Sequence, residues 1–152
     1  MRDTKGFTLV ELLAVIVILA IVALVTTPAI LNVINNSRQK AAEDKAWGTI
    51  DSVRLAYTQA QNNGYDDTSG TGVSFSGNSI NVSFGENGEA ITPKFGSNTV
   101  TMSGEKPSDG TVTIDKSTGN ITCKNLKFTV NGTYYCSTTT DNKMECGKTP
   151  KE

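Results

Sequence analysis

The sequence predicts an α+β protein: one long N-terminal helix, membrane-spanning in its first half and amphipathic in its second, packed by a small antiparallel β-sheet head. Three observations carry this reading. An apolar segment of 25 residues, Phe7 to Leu31, stands near the start of the 152-residue chain. Behind it, Ala46, Ile50, Val53, Tyr57 and Ala60 recur at alternating spacings of four and three, which places them on one helical face. From Tyr65 onward the chain is rich in Ser, Thr, Asn and Gly and carries short alternating runs.

The apolar segment spans ~37 Å as a helix, enough to cross a hydrocarbon core of ~30 Å. Most segments of this kind are plain anchors. A secretory signal peptide fits less well, because the run is long and Val25-Thr26-Thr27-Pro28 is a poor small-residue cleavage site. Charge does not orient the span, since Arg2 and Lys5 precede it while Arg38, Lys40 and Lys45 follow. Asn32 to Asn63 continues the helix without a linker. Arg38, Lys40, Glu43, Asp44, Asp51 and Arg54 fall largely off the apolar face and read as solvated. Gly48 is a weak point, and Asn62-Asn63-Gly64 supplies a left-handed stop. A continuous helix from Thr8 to Asn63 would be ~84 Å long.

The β expectation rests on Ile80, Val82 and Phe84, then Val100 and Met102, Val112 and Ile114, and Leu126, Phe128 and Val130, each alternating with polar neighbours. Turn chemistry separates them at Asn87-Gly88, Ser108-Asp109-Gly110, Ser117-Thr118-Gly119-Asn120 and Asn131-Gly132. The last of these, between Leu126–Val130 and Thr133–Cys136, reads as a two-residue hairpin turn with Val130 opposite Thr133. One sheet face is expected on the helix and the other in water.

One residue does not suit a plain anchor. Glu11 puts a carboxylate inside the apolar run, where a charge at bilayer depth costs on the order of 2.5–3.5 kcal/mol and is normally retained for a partner. The residues before it read Lys5-Gly6-Phe7-Thr8-Leu9-Val10, with nothing apolar between Met1 and Phe7. Hydrolysis after Gly6 frees a Phe7 ammonium that can pair with Glu11 of another copy. Within one chain the pairing is not expected, because Glu11 lies a helical turn further along and points away.

Basic leader, Gly at the cut, Phe first, Glu fifth and an unbroken apolar helix together resemble the N-terminus of class III-signal prepilins, the type IV pilin and pseudopilin family. Pro28 falls late in the helix as in many members, whereas the glycine often found eight residues earlier is Ala20 here. The resemblance covers Gly6 to Leu31. It implies cleavage between Gly6 and Phe7, N-methylation of Phe7 by one prepilin peptidase and methyltransferase, a helix kink at Pro28, and subunit assembly through Glu11 and Phe7. It also implies a pilin fold divided into a leader (1–6), a membrane-spanning and filament-core helix (7–31), the amphipathic half of that helix (32–64) and a β-rich head (65–152).

Three cysteines, Cys123, Cys136 and Cys146, allow three single bridges on the extracytoplasmic side. The two-residue turn would set Cys136 opposite Lys127 and leave Cys123 ~13 Å further along the strand, beyond the ~7 Å a bridge tolerates. Cys136–Cys146 is therefore the preferred candidate disulfide, and it would close a C-terminal loop resembling the one many pilins have. Three unpaired thiols are the bland alternative. A zinc site is a minor option, since there is no Cys-x-x-Cys pair and no histidine.

The missing histidine also removes the usual nucleophile–base arrangements, so no enzyme, cofactor or metal is expected. Gly147-Lys148-Thr149 mimics the end of a phosphate loop, but Asn142 stands where a glycine is required. Asp66-Asp67 and Asp141 lack the spacing of a calcium loop and read as solvated turn acids. The Asn-x-Ser/Thr triplets at Asn35, Asn81, Asn120 and Asn131 are expected by chance in so Asn- and Thr-rich a chain. With 14 basic and 15 acidic residues and no basic run in the head, nucleic acid is not an expected partner of the head alone.

The expected function is that of a pilus subunit. It starts as a single-pass precursor in the inner (cytoplasmic) membrane and moves to a surface filament of identical subunits, built by an assembly platform and motor. Buried apolar surface would supply most of the strength, and the Phe7–Glu11 pair would set register. Adhesion, twitching motility or aggregation follow from the resemblance. The alternative is a pseudopilin of a competence (DNA uptake) or type II secretion apparatus. A sortase-linked pilin is disfavoured, as the sequence ends Gly147-Lys148-Thr149-Pro150-Lys151-Glu152 without a sorting motif or a second span.

Overall fold

The computed structural model describes residues 6–86 and 88–151. The leader up to Lys5 and the Asn87 half of the Asn87-Gly88 turn lie outside the described residues. Helix α1 runs Leu9–Asn62 and is followed by short strands, so the α+β expectation holds. The chain divides into two units, one through Ser37 and one from Arg38 onward.

In the first unit α1 buries none of its side chains. In the second, Ala42, Ala46, Thr49, Ile50, Val53, Ala56 and Ala60 are buried and Tyr57 is half-buried against the core, which is the face that the four-and-three spacing marks. The helix stops in a Schellman motif: Tyr65 N–H donates to the Ala60 carbonyl and Gly64 N–H to the Gln61 carbonyl, both at 3.0 Å, with Gly64 at φ 80°.

The strands are β1 (Gly70–Thr71), β2 (Val73–Ser76), β3 (Ser79–Ser83), β4 (Gly85–Glu86), β5 (Glu89–Ala90), β6 (Lys94–Phe95), β7 (Asn98–Thr99), β8 (Thr111–Asp115), β9 (Ile121–Lys124), β10 (Leu126–Thr129), β11 (Thr133–Thr138) and β12 (Met144–Gly147). They form antiparallel sheets in the orders β2-β3-β8-β9, β10-β11-β12, β1-β6-β7 and β4-β5. Several small sheets therefore replace the single one expected. Two-residue strands among Gly, Ser and Asn end as soon as a turn residue is met. The Val100 to Met102 stretch forms no strand, yet Val100 is fully buried, so its alternation records burial without pairing.

The core joins the helical face to the inward side chains of β3, β8 and β10, with Phe84, Phe95 and Phe128 its largest fully buried members. Phe95 packs against Tyr57 and Tyr65 with ring centroids 5.3 and 5.9 Å away, both at the tilted angles aromatic pairs prefer.

The β10–β11 register differs by one residue from the two-residue turn. Thr129 faces Thr133, and Val130, Asn131 and Gly132 form a three-residue loop. Asn131 takes the left-handed conformation at φ 47°, while Gly132, at φ 142°, does not fold back as the second residue of a two-residue turn would. Burial decides between the registers. The observed one sets Leu126 opposite Cys136 and Phe128 opposite Tyr134, and all four are buried. The expected one would have set Cys136 opposite the less buried Lys127, on the wrong face of the pleat.

Candidate functional site

The start of α1 is built by Thr8 and Glu11. Thr8 N–H and Thr8 Oγ1 donate to Glu11 Oε2 at 2.9 and 2.8 Å, and Glu11 N–H donates to Thr8 Oγ1 at 3.3 Å. This is a capping box, with Thr8 as N-cap and Glu11 three residues on. Helical side chains lean toward the N-terminus, so Glu11 reaches back along the helix and does not point away from it. The Thr-x-x-Glu spacing spells this cap in the sequence itself, within apolar surroundings. Gly6 and Phe7 precede the helix, and Phe7 is 87% exposed.

Beyond the box the helix presents apolar side chains all round. Helix α1 carries an apolar stretch with none of it buried, long and apolar enough to cross a membrane. Two of its few hydroxyls turn inward on the backbone: Thr26 Oγ1 donates to the Val22 carbonyl at 3.0 Å and Thr27 Oγ1 to the Ala23 carbonyl at 2.7 Å. Such back-bonding satisfies a polar group in oil and tends to bend a helix. Pro28, next in sequence, lies inside α1, which continues through it.

In the head, a disulfide joins Cys136 and Cys146. They face each other across β11 and β12 with Cα atoms 4.1 Å apart. Cys123 is free and buried. The ~13 Å separation assumed one straight strand, but Asn125, at φ 53°, breaks it into β9 and β10. β9 then lies beside β11, where Cys123 N–H donates to Thr138 Oγ1 at 3.0 Å and Cys123 Sγ sits 3.8 Å from the Cys136 carbonyl oxygen. Burial pushes the Cys123 thiol up from its ordinary range, which keeps it protonated and unreactive.

Asp66 and Asp67 part company. Asp66 Oδ1 accepts from Thr68 Oγ1 in a local turn, which holds its carboxyl below the usual range. Asp67 is no solvated turn acid: it accepts from Tyr57 Oη at 3.3 Å and Gln61 Nε2 at 2.9 Å and pairs with Lys116 Nζ at 3.3 Å. It ties the end of α1 to the β8–β9 hairpin. Desolvation first, and the Asp67 charge second, raise the Tyr57 phenol. At that hairpin, Asp115 Oδ1 accepts from Ser117 N–H at 2.8 Å and Thr118 N–H at 3.3 Å, fixing the turn read at Ser117 to Asn120. Near the end of the described chain, Gly147 belongs to β12 and Lys148-Thr149 leads into no helix.

No curated protein and no solved structure matches the chain. A family model does, at the N-terminus alone. Residues 1–27 match the prokaryotic N-terminal methylation motif, so the chain carries the class III signal that type IV pilins and pseudopilins share.

Proposed function

We propose that this protein is a structural subunit of a type IV pilus, matured by cleavage after Gly6 and methylation of the Phe7 amine. The observation that carries the reading is the start of α1, where one carboxylate is held at the head of a helix whose side chains are apolar on every side. Before assembly the apolar surface keeps the subunit in the membrane. In the filament the same surface packs against copies of itself, and the Phe7 ammonium of one subunit neutralises Glu11 of its neighbour. Thr8 holds the Glu11 carboxylate toward the N-terminal end, where an incoming ammonium would meet it. Pro28 and the two back-bonded threonines before it supply a point at which the helix can bend. The head, closed by Cys136–Cys146, faces the medium and plays no catalytic part.

Electron microscopy of material sheared from cells, with N-terminal sequencing of the sheared subunit, tests this. Filaments whose subunit begins at N-methylated Phe7 are expected. A mature polypeptide that still begins at Met1 would overturn it, leaving a tethered surface module.

A further inference from the structure

The β10–β11 loop carries Asn131-Gly132, and glycine after asparagine leaves the next backbone nitrogen unshielded by a Cβ. We propose that Asn131 is a site of spontaneous covalent self-modification, deamidating through a cyclic imide formed with Gly132. The Gly132 backbone nitrogen attacks Asn131 Cγ, and the new bond between that nitrogen and Cγ closes a five-membered succinimide ring. The Cγ–Nδ2 bond breaks, and Nδ2 leaves as ammonia carrying the proton lost from the Gly132 nitrogen. Water then adds to one of the two ring carbonyls, giving aspartate or, through the other, isoaspartate. No oxidant or reductant enters, and water is the one co-reactant.

The surroundings of this loop leave the reaction unhindered. Asn131 and Gly132 are both exposed, and a Cβ placed on Gly132 would meet only the Tyr134 ring, at 3.8 Å. Among the described residues nothing accepts from the Gly132 N–H, so the attacking nitrogen is not held. The chain contains its own control. In Asn63-Gly64 the Gly64 N–H donates to the Gln61 carbonyl at 3.0 Å and Asn63 Nδ2 donates to Asn98 Oδ1 at 3.2 Å, so both the attacking and the leaving nitrogen are tied. Isoaspartate at 131 would run the main chain through the former side chain, adding a carbon to the loop that joins β10 and β11. Either product adds a negative charge at the hairpin tip.

The test is a time course on the purified full-length chain in warm, mildly alkaline buffer, read by peptide mass spectrometry with fragment-ion localisation. The peptide Phe128–Lys143 is expected to gain about one mass unit at Asn131 and to become a substrate for an isoaspartyl methyltransferase. Asn63 should lag by at least about tenfold while the protein is folded and catch up in denaturant, because opening of the helix end must come first. Conversion of Asn131 no faster than Asn63 in the folded protein overturns the proposal, as does an unchanged Asn131 after Asn63 has reacted.

Discussion

Replacing Glu11 by glutamine separates two things the native side chain does together. The amide keeps an oxygen where Thr8 N–H and Thr8 Oγ1 donate, at 2.9 and 2.8 Å, and glutamine serves in the capping box as glutamate does. Only the charge goes. Insertion of the precursor becomes easier, since a carboxylate at bilayer depth costs about 2.5–3.5 kcal/mol. Assembly is another matter. If the charge exists for a neighbour's Phe7 ammonium, the glutamine subunit leaves that ammonium buried alone, a loss of about 3–5 kcal/mol. That is at least about 100-fold in the equilibrium for adding each subunit. The assay compares sheared filaments, by immunoblot and microscopy, with the membrane fraction. Glu11→Gln should give a full membrane pool and essentially no filaments, and Glu11→Ala the same. Thr8→Val, which removes the side-chain half of the cap at about 1 kcal/mol but keeps the charge, should still assemble. Filaments at wild-type yield from Glu11→Gln would refute the reasoning and leave Glu11 as a helix cap.

Removing the bridge by Cys136→Ala with Cys146→Ala should lower the melting temperature of the head by roughly 10 °C, since a closed loop with sequence separation 10 is worth about 2.7 kcal/mol. An unchanged melt followed by circular dichroism, with and without reductant, would contradict that. Two glycines should respond oppositely to alanine. Gly48→Ala, with nothing within 4 Å of the new methyl in the middle of α1, should stabilise by up to about 1 kcal/mol. Gly110→Ala, at φ 104° with the methyl 2.5 Å from the Asn125 carbonyl oxygen, should cost at least about 3 kcal/mol and show as lost expression or a collapsed denaturant midpoint. Glu105 pairs with Lys45 and accepts from Thr129 N–H, and the Lys45 hydrogen bond above all holds its carboxyl below the ordinary value of 4.5. Because the folded value is depressed, this stability is fully present above pH 4.5 and is lost as pH falls through the lower folded value. The pair is partly exposed, so the effect is at most about 1 kcal/mol, and Glu105→Gln should flatten the acid side of the stability curve by that amount.

What the sequence discloses and what it conceals have physical causes. A helix is local, so the spacing from Ala46 to Ala60 and the stop at Gly64 could be read from a few neighbouring residues, and both are in the structure. Strand pairing is not local. Whether Asn131-Gly132 makes a two- or three-residue loop is settled by burying Leu126, Phe128, Tyr134 and Cys136 on one face, which needs the helix in place. Asn125 breaks a strand that looks continuous, and that misplaced Cys123. The short strands β2, β9 and β12 each offer only two alternate apolar positions, Val73 and Phe75, Ile121 and Cys123, Met144 and Cys146, and so short an alternation shows only beside a partner. At the helix start the residues Thr8 and Glu11 were sufficient to spell a capping box, but a carboxylate in oil invites a distant partner before a local one.

That local partner changes how the energies divide. Eighteen large apolar side chains from Phe7 to Ile34 are exposed, and in water their burial would dominate any ion pair. On the proposed function, however, the subunit would leave lipid and not water, and lipid is as apolar as the flank of another helix. Hydrophobic burial would then hold nearly equal value in the bilayer and in a filament core, and it would fix where the subunit waits more than which way it goes. The term that differs is the charge. Among the described residues Glu11 has Thr8 for company, two hydrogen bonds and no counter-charge. In a filament of the proposed kind it would keep those bonds and gain an ammonium, so the pair acts on direction as well as register. A hydrophobic substitution within the helix, such as Leu12→Val, should then change filament strength while leaving assembly possible, whereas loss of the single carboxylate should stop it.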